Sequence, residues 1–170
     1  MNHLLKLLPI PVCILFIFSG CSKPSDYSSD YIKGKIDGVG FECIKNIKAN
    51  KPEPIPGQGS DPTLIITGEW SGYSIRLLIN SEGTSIGTGT YVFQGGKNRS
   101  ATIWQNNVDA YYAGNGGFFN SGALYGSGKI TILEISNKYI RGTFDFITDV
   151  NGVTGTFKTV TDGTFFIKRG

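Results

Sequence analysis

The feature that most constrains the fold is a series of short apolar runs, separated by turn residues, that continues to the end of the chain. The runs after Pro62 are TLIITGEW, YSIRLLIN, TYVFQ, ATIWQ, DAYYA, KITILEIS, YIRGTFDFIT, VTGTFKTV and TFFIKR. In YSIRLLIN, every second residue from Tyr73 onward is apolar, and a period of two indicates a strand and not a helix. No proline follows Pro62, which suits paired strands because proline lacks the amide donor of a ladder. The chain is therefore predicted to be all-β.

Length and composition favour one such domain without cross-links. The chain has 170 residues, of which 24 are glycine and only 17% are charged, whereas disordered tails and long amphipathic helices need abundant charge. A domain of this size buries about 70% of its unfolded surface, so it needs neither a metal nor disulfides. We expect residues 31–170 to form eight to ten mostly antiparallel strands, in a closed barrel or a two-sheet sandwich. Sequential hairpins favour an up-and-down barrel, while the proline-rich residues 51–62 offer a crossover between two sheets.

Turn dipeptides predict how the strands pair. Asp37-Gly38 lies between two short alternating runs, which indicates a hairpin. Nearer the C-terminus, Asn137-Lys138, Asn151-Gly152 and Asp162-Gly163 each separate two strand-like runs. We expect these three turns to join the last four runs into a four-stranded meander.

The Asn137-Lys138 turn has a clear register if it contains two residues. Ile135 then lies opposite Ile140, and both are apolar. The same register sets Glu134 against Arg141, an exposed ion pair that contributes only about 0–1 kcal/mol.

A two-residue turn at Asn151-Gly152 also pairs apolar residues. It places Val150 opposite Val153, and Phe146 opposite Phe157. The pattern and the turn therefore predict the same register.

At Asp162-Gly163 the length of the loop decides the partner of Phe157. A two-residue turn sets it against Lys168, whereas a three-residue loop with a glycine bulge sets it against Ile167. We predict the three-residue loop.

A Gly-Thr-aromatic motif recurs at unequal spacings, so the chain is not a fixed-period repeat protein. Glycine allows the strand to bend, and the aromatic ring is expected to fill the core. The four copies are Gly89-Thr90-Tyr91, Gly142-Thr143-Phe144, Gly155-Thr156-Phe157 and Gly163-Thr164-Phe165.

Residues 1–20 have the three-part layout of a secretory signal. Lys6 gives a positive start, residues 7–18 form an apolar run, and Ser19-Gly20 are small residues before Cys21. The apolar run is shorter than the roughly 20 residues that a membrane-spanning helix needs, and it contains two prolines. We therefore predict a cleaved signal and not a permanent anchor helix.

The end of this signal, Phe18-Ser19-Gly20-Cys21, resembles the lipobox of bacterial lipoproteins, with phenylalanine where leucine is usual. The resemblance implies that Cys21 carries a diacylglycerol and that its new amino end is acylated, for example with palmitate, which holds the protein on a membrane. Ser22 stands where an aspartate would favour the inner membrane, so we expect the outer membrane. Residues 21–30 are polar and are predicted to form a lipidated tether. The alternative is an ordinary secreted protein in which the cysteine is incidental.

Several segments of the chain are also similar to a known family. They are IDGVGFEC, a central GTY, SGKITILEIS, YIRGTFDF and VTDGTFFIK, and they resemble a family of small uncharacterised all-β lipoproteins of Gram-negative bacteria, a domain of unknown function. The resemblance covers most of residues 31–169. It implies the fold and a cell-envelope location, and it carries over no activity, ligand or catalytic residue.

The residue inventory excludes several kinds of site. His3 lies in the signal, so the mature chain lacks histidine, the commonest general base and metal ligand. Cys13 leaves with the signal and Cys21 carries the lipid, which leaves Cys43 alone and rules out an intrachain disulfide. We therefore expect no metal site and no Ser-His-Asp or Cys-His catalysis. Cys43 is interpreted as a buried structural thiol.

Charge and glycine spacing exclude two further classes. Without Lys6, the 16 basic residues become 15, against 13 acidic ones, and the longest basic run is Lys168-Arg169. A nucleic-acid partner is not expected from so small an excess. Since the chain has neither a phosphate-binding loop nor a dinucleotide-binding motif, no nucleotide cofactor is expected.

Residues 104–125 concentrate aromatic side chains among asparagine and glycine. Aromatic rings stack on the C–H faces of sugars while amides bond hydroxyl groups, so this stretch suits glycan recognition. Three of the aromatic residues, Trp104, Tyr111 and Phe119, would equally serve as core if they point inward, since alternate strand residues face opposite sides. The candidate ligand-binding residues are Trp104, Tyr111, Tyr112, Phe118, Phe119 and Tyr125.

These observations lead to three hypotheses for function. The first is a lipid-anchored, non-catalytic envelope protein that binds a ligand such as a glycan, and an exposed aromatic row or a roomy cavity would support it. The second is a structural or adaptor lipoprotein that contacts another envelope protein, which a long open strand edge would support. The third is a small hydrolase, which requires two carboxyl groups about 5–9 Å apart in a cleft.

Overall fold

The chain folds into a β-sandwich. The computed structural model describes residues 29–50, 52–54, 61–81, 83, 85–93, 97–106, 109–115 and 125–169. Its strands are β1 (Tyr31–Ile36), β2 (Val39–Glu42), β3 (Lys45–Ala49), β4 (Glu53–Pro54), β5 (Pro62–Trp70), β6 (Tyr73–Asn80), β7 (Gly89–Val92), β8 (Arg99–Gln105), β9 (Asp109–Gly114), β10 (Ser127–Ile135), β11 (Tyr139–Ile147) and β12 (Thr159–Lys168). In this part of the chain, no helix is long and apolar enough to span a membrane.

The strands form two antiparallel sheets. Sheet A has the order β2-β1-β12-β11-β10-β7, and sheet B has the order β3-β5-β6-β8-β9, with the short β4 pairing β5. The prediction of an antiparallel all-β fold is confirmed as a sandwich, and the closed barrel is wrong. The described residues contain twelve strands, if the two-residue β4 is counted, where eight to ten were expected.

The chain first crosses between the sheets at Cys43 and Ile44. The Cys43 amide donates to the Ile32 carbonyl in sheet A (2.8 Å), and the Ile44 amide donates to the Glu69 carbonyl in sheet B (2.9 Å). The proline-rich residues 51–62 instead connect strands within sheet B, because β4 pairs with β5. The crossover expected at the prolines therefore lies about ten residues earlier.

The predicted Asp37-Gly38 hairpin is confirmed. Asp37 and Gly38 have φ values of 51° and 82°, and Ile36 lies opposite Val39. Two left-handed residues give a turn whose twist matches that of the flanking strands. The Asp37 amide donates to the Thr159 carbonyl (2.8 Å), which attaches the turn to the start of β12.

The register predicted at Asn137-Lys138 is also confirmed. Ile135 lies opposite Ile140, and Glu134 lies opposite Arg141. The Arg141 Nε atom is 3.0 Å from the Glu134 carboxylate. The strand register next to this turn is therefore the one that the turn length and the residue types predict.

The predicted turn at Asn151-Gly152 is wrong, because residues 148–158 form a loop between β11 and β12. Phe146 lies opposite Val160 and not opposite Phe157. Val153 is 85% exposed, so its expected pairing with Val150 does not form.

The side chain of Asn151 explains this loop. Its Oδ1 accepts hydrogen bonds from the amides of Val153 (2.8 Å) and Thr154 (2.9 Å), which turns the chain without strand pairing. Its Nδ2 donates to the Ala110 carbonyl in β9 (2.7 Å). The loop is therefore tied to the edge of sheet B.

Asp162-Gly163 does not reverse the chain either. Both residues lie inside β12, which has one more residue than β1 and β11 at this point. Asp162 is left-handed, with φ of 54°, and Gly163 lies opposite Phe144. β12 does bulge here, but its left-handed residue is Asp162 and not Gly163. The predicted glycine bulge, the three-residue loop and the Phe157–Ile167 pairing are therefore wrong, and the meander has three strands.

The core lies between the two sheets. All twelve strands fall within residues 31–168, so the chain from residue 22 onward contains every strand and core residue described and is expected to fold without the signal. The largest fully buried side chains are Phe144, Phe165, Ile32, Leu64, Ile66, Ile75, Leu77, Ile79, Ile103, Ile130, Ile132 and Ile140.

Candidate functional site

The hairpin between β5 and β6 brings two aromatic rings together. Its turn residues, Ser71 and Gly72, have φ values of 30° and 81°, and Trp70 lies opposite Tyr73. The two ring centroids are 5.3 Å apart, with an angle of 13° between the planes. A tight turn thus holds the rings in a stacked pair.

A third ring joins this pair from the other sheet. Phe41 in β2 stacks on Trp70 with centroids 4.6 Å apart. We call Phe41, Trp70 and Tyr73 the aromatic wall. Trp70 and Tyr73 pack against the core and remain partly exposed, whereas Phe41 is buried. The wall is therefore packed against the core and presents two rings at the surface.

A cleft of about 560 Å³ lies against one side of the wall, and we call it the polar cleft. The Asn106 amide donates to the Gly72 carbonyl (2.7 Å), which fixes the turn after β8 against the turn after β5. Trp70 and Tyr73 line the cleft together with Lys45, Glu69, Ser71, Ser74 and Asn106. It therefore offers aromatic, charged, hydroxyl and amide groups in one place.

A second cleft of about 280 Å³ is lined by all three wall residues and by Ile36 and Ile103, and we call it the apolar cleft. Its polar groups are Asp37 and Lys158.

Asp37 and Lys158 form an ion pair in the apolar cleft. Lys158 Nζ donates to Asp37 Oδ2 (3.1 Å), and the Thr159 amide donates to Asp37 Oδ1 (2.9 Å). The hydrogen bond to Asp37 raises the pKa of Lys158 above its ordinary value. Lys158 Nζ also lies 5.4 Å from the centre of the Tyr111 ring. The amine is thus held charged and in a fixed position.

The chemistry of these clefts suits binding. Each is lined by aromatic rings and by a few polar groups, as ligand sites commonly are. Among the described lining residues, the polar cleft has one carboxylate, Glu69, and the apolar cleft has one, Asp37. Within the same part of the chain, no group of three His, Cys, Asp or Glu residues is placed to hold a metal ion.

Of the predicted ligand-binding residues, Tyr111 lies in the core and Trp104 lies on the outer face of a sheet. Tyr111 is 2% exposed and belongs to the core, as its core interpretation predicts, and its hydroxyl is hydrogen-bonded to Thr154. Trp104 is half-buried, and since its neighbour Ile103 points into the core, Trp104 lies on the outer face of sheet B. The inward orientation considered for Trp104 is therefore wrong, and Trp104 lines neither cleft at the aromatic wall.

Tyr112 and Tyr125 share a third cleft, of about 220 Å³, with Asp149 and Asn151. Two of the six predicted aromatic residues are thus brought together, away from the aromatic wall. Phe118, Phe119 and the predicted lipidation residue Cys21 lie outside the described residues.

The residues of the aromatic wall are not among those predicted from the sequence to bind a ligand. One signal for it was present, because Ser71-Gly72 separates two predicted strands and a two-residue turn there places Trp70 opposite Tyr73. The contribution of Phe41 has no such signal, since it depends on how the two sheets pack.

Cys43 is a free, buried thiol, as expected. It is 3% exposed, and burial, with smaller contributions from Glu42 and Glu69, raises the pKa of its thiol to about 12. A thiol that stays protonated at neutral pH is a poor nucleophile.

The fold and the site together define a two-sheet β-sandwich with an aromatic cleft at its surface. Residues 31–167 match the family described as a domain of unknown function, DUF6252, and the chain belongs to that family. No curated protein and no solved structure matches the chain.

Proposed function

We propose that this protein is a lipid-anchored, non-catalytic protein of the Gram-negative cell envelope that binds a glycan at the aromatic wall. The observation that carries the proposal is the stacked pair of Trp70 and Tyr73, which forms a side of both clefts. Membrane attachment rests on the signal and on Cys21.

The wall provides the two kinds of contact that sugars need. Ring faces contact the C–H surfaces of a pyranose, while charged and amide side chains bond its hydroxyl groups. Glu69 and Asn106 supply such groups in the polar cleft, and the Asp37–Lys158 ion pair supplies them in the apolar cleft. The polar cleft, at about 560 Å³, is within the usual size range of small-molecule sites.

The position of the wall relative to the tether also favours this role. β1 starts at Tyr31, opposite Phe166, and ends at Ile36, opposite Val160. Its six residues span roughly 20 Å, so the Asp37 turn lies at the end of the strand away from the tether. A lipid on Cys21 therefore leaves the apolar cleft accessible.

The strand edges give less support to the adaptor alternative. β2 and β7 have four residues each, and β3 is short, lysine-containing and irregular in register. The edge of β9 is covered by the loop that Asn151 holds. Short, bulged or covered edges disfavour pairing with another chain.

Trp70→Ala is expected to weaken glycan binding by at least tenfold, because it removes one of the two surface rings of the wall. Trp104→Ala, the same change on the outer face of sheet B, is expected to alter binding less than twofold. The measurement is native mass spectrometry of residues 22–170 with a defined set of neutral hexose and N-acetylhexosamine oligosaccharides. The oligosaccharide that gives the most abundant adduct is then titrated into each protein by isothermal titration calorimetry.

A loss of binding in Trp104→Ala but not in Trp70→Ala would move the site to the outer face of sheet B. If no sugar binds, and only protein–protein adducts form with an envelope extract, the adaptor hypothesis replaces this one.

Cys21→Ala is expected to abolish lipid attachment, because the thiol is the predicted acceptor of the diacylglycerol. The full chain is expressed in a Gram-negative host with an alkyne-labelled palmitate, and the incorporated label is measured after detergent extraction. Cys13→Ala is the matched control and is expected to keep the label. Equal labelling of Cys21→Ala and the unchanged chain would contradict lipidation at this residue.

A further inference from the structure

A second surface lies where the chain enters the domain. The Lys168 amide donates to Asp30 Oδ1 (2.9 Å), and the Arg169 amide donates to the Lys138 carbonyl (2.8 Å). The end of the tether, the turn between β10 and β11, and the end of β12 are therefore adjacent. We call this part of the molecule the tether end.

Aromatic rings from three neighbouring strands form a row beside the tether end. Tyr31 and Phe166 lie opposite each other, with ring centroids 6.2 Å apart. The ring centroids of Tyr139 and Phe166 are 5.2 Å apart. Lys33 Nζ lies 4.8 Å from the centre of the Tyr31 ring. Tyr31 and Tyr139 are partly exposed, so two amphipathic rings flank a buried one.

The tether end also holds an excess of positive charge. Among the charged residues of sheet A that lie in or near these elements, five are basic and three are acidic, an excess of two positive charges. The basic residues are Lys33, Lys138, Arg141, Lys168 and Arg169, and the acidic ones are Asp30, Glu42 and Glu134.

We propose that the tether end lies on the membrane surface and binds anionic lipid headgroups. The proposed orientation rests on the lipid anchoring proposed above. A ten-residue tether from Cys21 to Asp30 spans at most about 35 Å, so it keeps the tether end near the membrane. Lysine and arginine side chains close to the membrane surface are attracted to anionic headgroups. Tyrosine is suited to the same interfacial region, because its ring is apolar and its hydroxyl is polar.

The test uses residues 22–170, which lack Cys21, and vesicles of phosphatidylcholine with or without phosphatidylglycerol. We expect the protein to sediment with the anionic vesicles and not with the neutral ones, and to dissociate as the salt concentration rises. No binding to anionic vesicles, or equal binding to neutral ones, would overturn the proposal. The result is independent of acylation and of glycan binding, since neither is involved.

Two charge-reversal variants at opposite ends of the β10–β11 hairpin test whether the tether end is the membrane-binding surface. Lys138 lies in the turn between β10 and β11 at the tether end, whereas Lys129 lies near the opposite end of β10, and both are exposed. Lys138→Glu is expected to lower the vesicle partition coefficient by about tenfold or more, because a charge at the membrane surface is reversed. Lys129→Glu is expected to change it by less than about twofold, because it lies farther than a Debye length from the surface.

Lys33→Glu provides an independent second variant, and it is expected to reproduce the loss seen in Lys138→Glu. Melting curves by circular dichroism verify that all three variants are folded. Equal losses in Lys129→Glu and Lys138→Glu would show that net charge alone drives binding, and the proposed surface would be wrong.

Discussion

Phe144→Ala is expected to lower the free energy of unfolding by about 3–5 kcal/mol, the usual cost of removing a large buried ring. Phe144 is 1% exposed, and its ring packs near those of Phe146 and Phe165 at 6.2 and 6.4 Å between centroids. Since β10 and β12 both flank its strand, neighbouring side chains cannot easily close the cavity. The measurement is urea unfolding of residues 22–170, followed by circular dichroism.

The matched control is Phe157→Ala, which makes the same change in another Gly-Thr-Phe motif. Phe157 lies in the loop between β11 and β12 and is 54% exposed, so its removal is expected to cost less than about 1 kcal/mol. Equal destabilisation by the two substitutions would mean that residues 148–158 pack as a strand, as the sequence pattern alone predicts.

Gly142→Ala is expected to destabilise the protein by about 3 kcal/mol or to prevent folding. A Cβ at Gly142 would lie 2.2 Å from the Thr131 carbonyl oxygen and 2.5 Å from Cζ of Phe165. The oxygen belongs to the backbone of β10, so relief of the clash requires movement of a strand in the middle of sheet A, and overpacking of this kind is costly. The same unfolding measurement gives the size of the effect.

Gly40→Ala is the control for this prediction. Gly40 lies in edge strand β2, and a Cβ there has no atom within 4 Å. The substitution is expected to change stability by no more than about 0.5–1 kcal/mol, with stabilisation favoured because alanine restricts the unfolded chain. Tolerance of Gly142→Ala would show that β10 and β11 are less tightly packed than described.

Of two Asp-Gly dipeptides in the sequence, one forms the hairpin that its residue types predict and the other does not. Asp37-Gly38 adopts the two left-handed residues that a tight hairpin needs, and the predicted hairpin forms. Asp162-Gly163 has the same residue types, and Asp162 is left-handed too, but the dipeptide bulges within β12. A left-handed residue fits both a turn and a bulge, and pairing with β1 and β11 decides between them.

The Gly-Thr-aromatic motif shows the same limit for the core. Phe144 and Phe165 are fully buried, and Tyr91 is partly buried against the core, as the motif predicts. Phe157 has the same local sequence and points to solvent, because the hydrogen bonds of Asn151 direct its loop to the edge of β9. Burial depends on what lies opposite a residue, which a local motif does not contain.

The candidate site also has one part that the sequence indicates and another that depends on how the sheets pack. Trp70 and Tyr73 are placed together by a two-residue turn that is visible in the sequence. Phe41 stacks on Trp70 across the two sheets. The clefts exist because these elements meet. The described aromatic residues of the stretch predicted to bind sugars are divided between the core, the outer face of sheet B and a separate cleft.

The sequence by itself determined the all-β class, the hairpins at Asp37-Gly38 and Asn137-Lys138, and the inventory of reactive groups, because these depend on period-two patterning, on turn residues and on composition. The tertiary structure decided the sandwich over the barrel, the loop and the bulge in place of two turns, and the position of the aromatic wall. Each of these depends on contacts between residues far apart in the chain, and the free energy of such contacts outweighs the small local preferences between a turn, a bulge and a loop.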